Sequence, residues 1–322
     1  MYYNIDWHIT IGTYRLMFVD TVEVHKSVDI LADTARIVLP GAMVNRALEV
    51  EQKIKRGDRV VIQLGYDGDL TTEFEGYIET VHTDDGSVTL QCEDAVWLTR
   101  APVEDKELKD VTSKDVAAYV VAELNKTLNE KITLDCDYEL KYDKFVISKA
   151  MGYDVLKKLQ EETRGNIYMK GNVLHFHPAY VEKFGEATHN FAVNIEKSDL
   201  VYKRADERRY QVEVKGIGRD GKRTVVMTGT TGGEKRSVKI AGVTDEATLK
   251  KRGEEELKYL VYDGYEGSIN AWHQPVVEPG YSARIIDEDY EHKTGVYYAE
   301  AVTTTAGKEG IVRKVELGRK LV

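Results

Sequence analysis

The chain has 322 residues, of which 42% are hydrophobic and 31% charged, with only five prolines; it can build two or three domains with real cores, and disorder is excluded. Its net charge of −10 opposes a protein that grips nucleic acid through phosphates. No apolar run approaches the roughly 18 residues that cross a bilayer as a helix, and the start MYYNIDWHIT lacks the basic and apolar regions of a secretory signal.

The acidity sits in residues 1–100, which hold 9 Lys+Arg against 17 Asp+Glu for a net −8, leaving −2 for the rest. Cys92 and Cys136 are too few for a disulfide framework and read as reduced, half-buried thiols of a protein folded in the cytoplasm. Twenty tyrosines against six phenylalanines predict half-buried aromatic positions on sheets and interfaces.

The first hundred residues alternate and turn. Strands are predicted at 7–14, 16–27, 34–41, 59–66, 74–83 and 87–94. Period-2 alternation is clear in Phe74, Gly76 and Ile78 and again in Val88, Leu90 and Cys92. Asp84-Asp85-Gly86 predicts a hairpin turn, and short strands at this spacing predict a barrel or sandwich. Two helices follow. One, at 112–128, starts on a Thr112/Asp115 capping box and buries Val116, Tyr119, Val120 and Leu124. The other, at 153–165, buries Val155, Leu156 and Leu159, with Gly165 as its left-handed C-terminal residue. Residues 166–178 predict a hairpin around Lys170-Gly171-Asn172. Strands resume at 209–218, 223–229 and 236–242, a helix occupies 245–261, and a second acidic meander spans 280–318.

The two meanders share a spacing. Tyr77, Glu79 and Val81 recur as Tyr298, Glu300 and Val302 at an offset of 221, and Gly57 recurs as Gly280 at 223. The expected organisation is mainly β with an α+β insertion. Residues 1–100 form a first tube-like β-barrel, 101–185 a small α/β module, and 186–322 a second tube-like barrel carrying the helix at 245–261.

No constellation carries chemistry. Arg56-Gly57-Asp58 reads as turn chemistry at a strand entrance. His175 and His177 fall on one face of a strand, with His189 further on, but no carboxylate or cysteine stands at a recognisable ligand spacing. The acids Asp287, Glu288, Asp289 and Glu291, like Asp67 and Asp69, lack a calcium-loop pattern and read as charged hairpin tips. The glycine-rich 228-TGTTGGEKRS-237 lacks the phosphate-loop spacing and context, and no nucleophile elbow or zinc-protease motif occurs. The expectation is no enzyme, with no catalytic, cofactor-binding or metal-binding residues and no cofactor.

The run 56-RGDRVVIQLGYDGDLTTEFEGYIETVHTDDGSVTLQCEDAVWLTR-100 resembles the G-D-x-V-x-I-x-L-G-Y … F-x-G-x-I … L-x-C-x-D signature of phage tail and baseplate hubs of the late-control-protein-D family. These are related to contractile-tail baseplate hubs and to the N-terminal part of type VI secretion spike proteins. Residues 153-YDVLKKLQEETRGNIYMKGNVLHFHP-178 resemble that family's next segment. The resemblance implies a virion structural protein, from a phage or a prophage. Two barrels per chain and three chains per ring would adapt a six-fold tail tube to a three-fold spike. Implied partners are the chain itself as a homotrimer, the tail tube protein, a spike protein and the tape measure protein. DNA would pass through an acidic channel without specific binding, and assembly would take place in the bacterial cytoplasm without membrane insertion. The sequence ends at Val322 with no needle-like repeat or lysozyme-like domain after it, so a hub that holds a separate spike chain is expected. Alternative readings are the hub of a non-phage contractile injection system, a tail-associated peptidoglycan hydrolase, and a carbohydrate-binding tail module suggested by the tyrosines.

Overall fold

The computed structural model describes residues 4–16, 19–40, 53–84, 87–180, 184–218 and 221–321. The chain divides into two units: Met1–Trp97 with Lys183–Val201 and Tyr265–Val322, and Leu98–Glu182 with Tyr202–Gly264. This grouping differs from the three consecutive segments read from the sequence. Residues 202–264, including the helix at 245–261, share a unit with 98–182. The contacts that do this span 90 residues or more of chain, beyond the reach of periodicity.

The first unit opens with β1 (Ile5–Ile11), β2 (Tyr14–Leu16), β3 (Thr21–Ser27), β4 (Thr34–Leu39), β5 (Arg59–Tyr66), β6 (Asp69–Asp84) and β7 (Ser87–Glu93). Alternation explains their burial. Val60, Ile62 and Leu64 of β5 and Val88, Leu90 and Cys92 of β7 point into one core with Ile9, Ile11, Val22, Val24 and Ile37. Each such side chain contributes roughly 1.5–3 kcal/mol when fully covered. Strands β6 and β7 pair as far as Asp84↔Ser87; Asp85 and Gly86 of the predicted turn lie outside the described residues.

The second unit begins with β8 (Lys106–Thr112), α1 (Ser113–Leu124), β9 (Thr133–Cys136), β10 (Lys141–Ile147), α2 (Gly152–Thr163), β11 (Gly165–Lys170) and β12 (Val173–Pro178). The Thr112/Asp115 capping box forms as predicted: Thr112 Oγ1 accepts the Asp115 N–H, and Asp115 accepts the Thr112 N–H. The end of α2 departs from expectation. Arg164, not Gly165, takes the left-handed conformation at φ 56°. Gly165 starts β11 instead, where a Cβ would stand 2.4 Å from the Phe176 ring. Several tyrosines go deeper than half-burial: Tyr138 and Tyr142 are buried and donate to the Thr163 carbonyl and the Glu162 carboxylate, both at 2.9 Å.

After β13 (Glu186–Asn190) and β14 (Ile195–Ser198) come β15 (Val201–Lys203), β16 (Tyr210–Ile217), β17 (Arg223–Gly229), β18 (Glu234–Ala241) and α3 (Glu246–Leu260). Leu249 of α3 is buried, as are Val212 and Val214 of the central strand β16. Arg252, 2% exposed, ties α3 to the end of α2: its Nε donates to the Glu162 carbonyl at 2.6 Å and it pairs with Glu256, which also receives Arg164.

The chain finishes with β19 (Gly264–Glu266), β20 (Ser268–Trp272), β21 (Ser282–Ile286), β22 (Gly295–Gly307) and β23 (Gly310–Leu321). The first unit's sheet now holds two halves with matching strand orders, β1-β5-β6-β7-β4-β3 and β13-β21-β22-β23-β20-β14. One pairing differs in sense: β1 lies antiparallel to β5, whereas β13 lies parallel to β21. The halves merge where β22 pairs antiparallel with β3, from Ala301↔Ser27 to Ala306↔Val22. The mainly β architecture with a helical insertion is as predicted. Among the described residues the sheet's main path runs open from β14 to β2.

Agreement between the halves extends to single hydrogen bonds. Gly57 donates to the Ile78 carbonyl at 2.8 Å and Ile78 donates back to Asp58 at 2.9 Å. Gly280 donates to Ala299 at 2.9 Å and Ala299 donates back to Tyr281 at 3.0 Å. The turns before them match too, Asp58 N–H to Lys55 O and Tyr281 N–H to Glu278 O, both 3.1 Å. Each meander has a register shift at the same place, between Ile78 and Thr80 and between Ala299 and Ala301.

Candidate functional site

Two buried or half-buried polar constellations stand out, one in each unit. The first lies in the sheet shared by the two halves. Along β6 the register slips so that Ile62 faces Phe74 while Gln63 faces Thr72. Glu73 is the extra residue of this bulge, and a bulge re-aims a side chain. Both Glu73 and Phe74 therefore point inward, and Glu73 is 1% exposed. Its Oε1 receives His273 Nε2 at 2.9 Å and an Arg313 guanidinium nitrogen at 2.7 Å, and Oε2 receives Thr304 Oγ1 at 3.2 Å. Arg313 also donates to the carbonyls of His273 and Val277 at 3.2 and 3.1 Å. Burial alone would raise the Glu73 carboxyl, but the His273 hydrogen bond and the Arg313 charge overcome it and hold the group down at about 2. The network joins β6 of the first half to β22, β23 and the residue after β20 in the second. Sequence reading missed Glu73, because nothing in the alternation of 69–84 marks the bulge.

The second constellation lies in the sheet β11-β12-β9. His175 and His177, two apart on β12, share a face as the sequence predicted. The structure adds what spacing did not reveal: β9 runs parallel to β12 with Asp135 opposite His175. Asp135 Oδ2 lies 3.1 Å from His175 Nδ1 and 3.4 Å from His177 Nε2. Two residues on, Asp137 Oδ1 lies 2.6 Å from His177 Nδ1. The donor atoms of Asp135, His175 and His177 all lie within 4.8 Å of one another. Tyr168 stacks on the His175 ring at 4.7 Å between centroids. Cys136, between the two aspartates, points to the other face, its Sγ 3.4 Å from the Tyr138 carbonyl. His189 belongs to the first unit and is fully buried; burial, with Arg313 nearby, lowers it to about 4.

Of the remaining sequence candidates, Asp58, Asp67 and Asp287 serve the backbone. Asp58 Oδ2 accepts the Lys55 N–H at 2.8 Å. Asp67 accepts from Asn4, and Asp287 from Asp289 and Tyr290, at 3.0, 3.1 and 2.9 Å. The glycine-rich 228–237 stretch links strand β17 to strand β18, not a strand to a helix, so it is not a phosphate loop. Cys92 and Cys136 are free thiols, as predicted, but only Cys136 is half-buried; Cys92 is fully buried, which pushes it up to about 12. No helix among the described residues is long and apolar enough to cross a membrane.

No family model matches the sequence, and no curated protein matches it. Solved structures do match, along nearly the whole chain. A 43 kDa tail protein of prophage MuSo2 from Shewanella oneidensis aligns over 98% of this chain and 97% of its own, with a TM-score of 0.65 at 14% identity. A tail protein from Neisseria meningitidis MC58 gives the same coverage and identity with a TM-score of 0.66. The E. coli c3393 protein is a type VI secretion component described as similar to the T4 tail proteins gp27 and gp5. It aligns over 98% of this chain and 77% of its own, with a TM-score of 0.62 at 11% identity. The chain thus has the fold of phage tail proteins and of their secretion-system relatives.

Proposed function

We propose that this chain is a non-enzymatic structural hub at the tip of a phage or prophage-derived tail. Its two half-sheets act as the two barrel modules, and a homotrimer presents six similar modules to the tail tube and three-fold symmetry to a spike. The observation that carries the reading is the repeated half-sheet, with its matching strand order, turn and register shift, in a chain with the fold of tail proteins. A closed ring of three identical chains has three-fold symmetry, and two similar half-sheets in each chain give it six quasi-equivalent surfaces. Unpaired sheet edges would find neighbours on ring closure, with interfaces on the order of 2,000 Å² or more, as obligate assemblies have. Tube, spike and tape measure proteins are the partners this role requires, assembled in the bacterial cytoplasm. The net charge of −10 suits a channel along which DNA slides without being held. The likeness to the E. coli secretion component favours a second reading, the same hub in a non-phage injection system.

The test is to mix the chain with a candidate spike protein from the same tail and measure the mass of the complex by light scattering at saturating partner. Three hub chains per complex are expected; one or two would overturn the symmetry argument. A lytic band on cell-wall zymography would overturn the non-enzymatic reading.

A further inference from the structure

We propose that Asp135, His175 and His177 form a binding site for one zinc-class divalent transition cation, with Asp137 orienting His177. This goes beyond the hub role and does not depend on it.

The site is built by strand geometry. A period-2 strand puts His175 and His177 on one face, and the parallel partner puts Asp135 and Asp137 on the same face. Donor atoms in a tetrahedral zinc site with bonds of about 2.0–2.1 Å stand roughly 3.3–3.4 Å apart. His177 Nε2 to Asp135 Oδ2 is 3.4 Å and His175 Nδ1 to the same oxygen is 3.1 Å. An ion between the three needs only a small shift on these two edges and a modest closing of the histidine–histidine edge, which lies within the 4.8 Å cluster.

The orientation of His177 suits a ligand. Its Nδ1 lies 2.6 Å from Asp137 Oδ1, so Nε2 is the ring nitrogen that faces Asp135 Oδ2, at 3.4 Å. A carboxylate holding the second ring nitrogen of a ligating histidine is the usual outer-shell arrangement of zinc sites. Tyr168, stacked on His175 with the rings only 11° from parallel, holds the other ligand's plane. Two imidazole nitrogens and one carboxylate suit zinc and its transition-metal neighbours; calcium and magnesium prefer all-oxygen sets. The fourth position falls to water, since the Asp135 side chain is 56% exposed while that of His177 is 7%. A bound ion would staple β9 to β12, segments forty residues apart in the chain.

The full chain, stripped with a chelator and dialysed, is titrated with zinc against a chromogenic competitor and separately with Co2+. One ion per chain and the intense visible bands of tetrahedral Co2+ are expected. Asp135→Asn and His175→Ala should abolish both. Asp137→Asn should weaken zinc about 10- to 100-fold without changing stoichiometry. Asp289→Asn, on the acidic hairpin tip, should change nothing. Circular dichroism checks folding; should His177→Ala fail to fold, the more exposed Asp135 and His175 carry the test. Zinc binding far below one per chain, or binding unchanged in folded Asp135→Asn and His175→Ala, overturns the proposal. So does a Co2+ spectrum of octahedral type.

Discussion

Glu73 shows how a single residue can hold two distant stretches together. Its carboxylate, the Arg313 guanidinium and the His273 ring are each at most 2% exposed, so the cost of removing one partner is that of an uncompensated buried charge, about 3–5 kcal/mol. Glu73→Gln should lower the urea midpoint accordingly, whereas a Glu73→Met/Arg313→Met double variant should lose less than the single. The folded Glu73 is depressed to about 2 from an ordinary 4.5. Its contribution is therefore full above about pH 4.5 and drains away as pH falls toward 2, and wild type and Glu73→Gln should converge there. Asp33 has the opposite sign. Burial raises it to about 7, against the lowering by Lys26 and the Ser27 N–H, with Glu278 adding to the rise and Asp94 beside it also raised. Its favourable term is complete below about 3.8 and is lost as pH climbs through 7. Asp33→Asn should thus be more stable than wild type at pH 8 and lose that advantage by pH 4, measured as the difference between the two melts because Glu300 titrates in the same window. Equal stability of the two proteins at pH 8 would show that Asp33 is not held neutral.

At the scale of elements, the two meander entrances impose the same demand on glycine. Gly57 and Gly280 sit at φ 89° and 86°, where a Cβ is strained. An added Cβ would stand 3.1 Å from Trp97 at the first and 2.5 Å from Phe184 at the second. Alanine at either should destabilise by about 1–3 kcal/mol, and Gly280→Ala should cost more because its neighbour is closer; a neutral Gly280→Ala would break the equivalence. What was legible in the sequence follows from this kind of local constraint. The Thr112 cap, the 166–178 hairpin and the α3 limits rest on residues within a turn or two of each other, and the 221 and 223 offsets compare two motifs that are each local. What was not legible depends on register between distant strands. Asp135 meets His175 across 40 residues, Glu256 meets Arg164 across 92 and Glu73 meets Arg313 across 240. Spacing rules tuned to nearby ligands pass over all three.

For the whole molecule, connectivity and symmetry pull in different directions. The first half-sheet is continuous in sequence, while the second is interrupted between β14 and β20, and the segments before β13 and after β14 both supply the second unit. Reading consecutive segments as domains placed α3 in the last third; only contacts such as Arg252 to Glu162 reassign it. Yet the interruption leaves the half-sheet's own strand order intact, as expected when an insertion enters a loop of a pre-existing repeat. If the halves are functional equivalents, tail tips should need half as many hub chains as a six-fold ring of single modules would. Quantitative mass spectrometry of purified tails, with labelled peptides from the hub chain and from the spike, measures this directly. The duplicated-hub reading expects equal numbers of hub and spike chains at each tip, three and three. Two hub chains for each spike chain would mean that each chain offers one tube-matching surface and that the second half-sheet has another task.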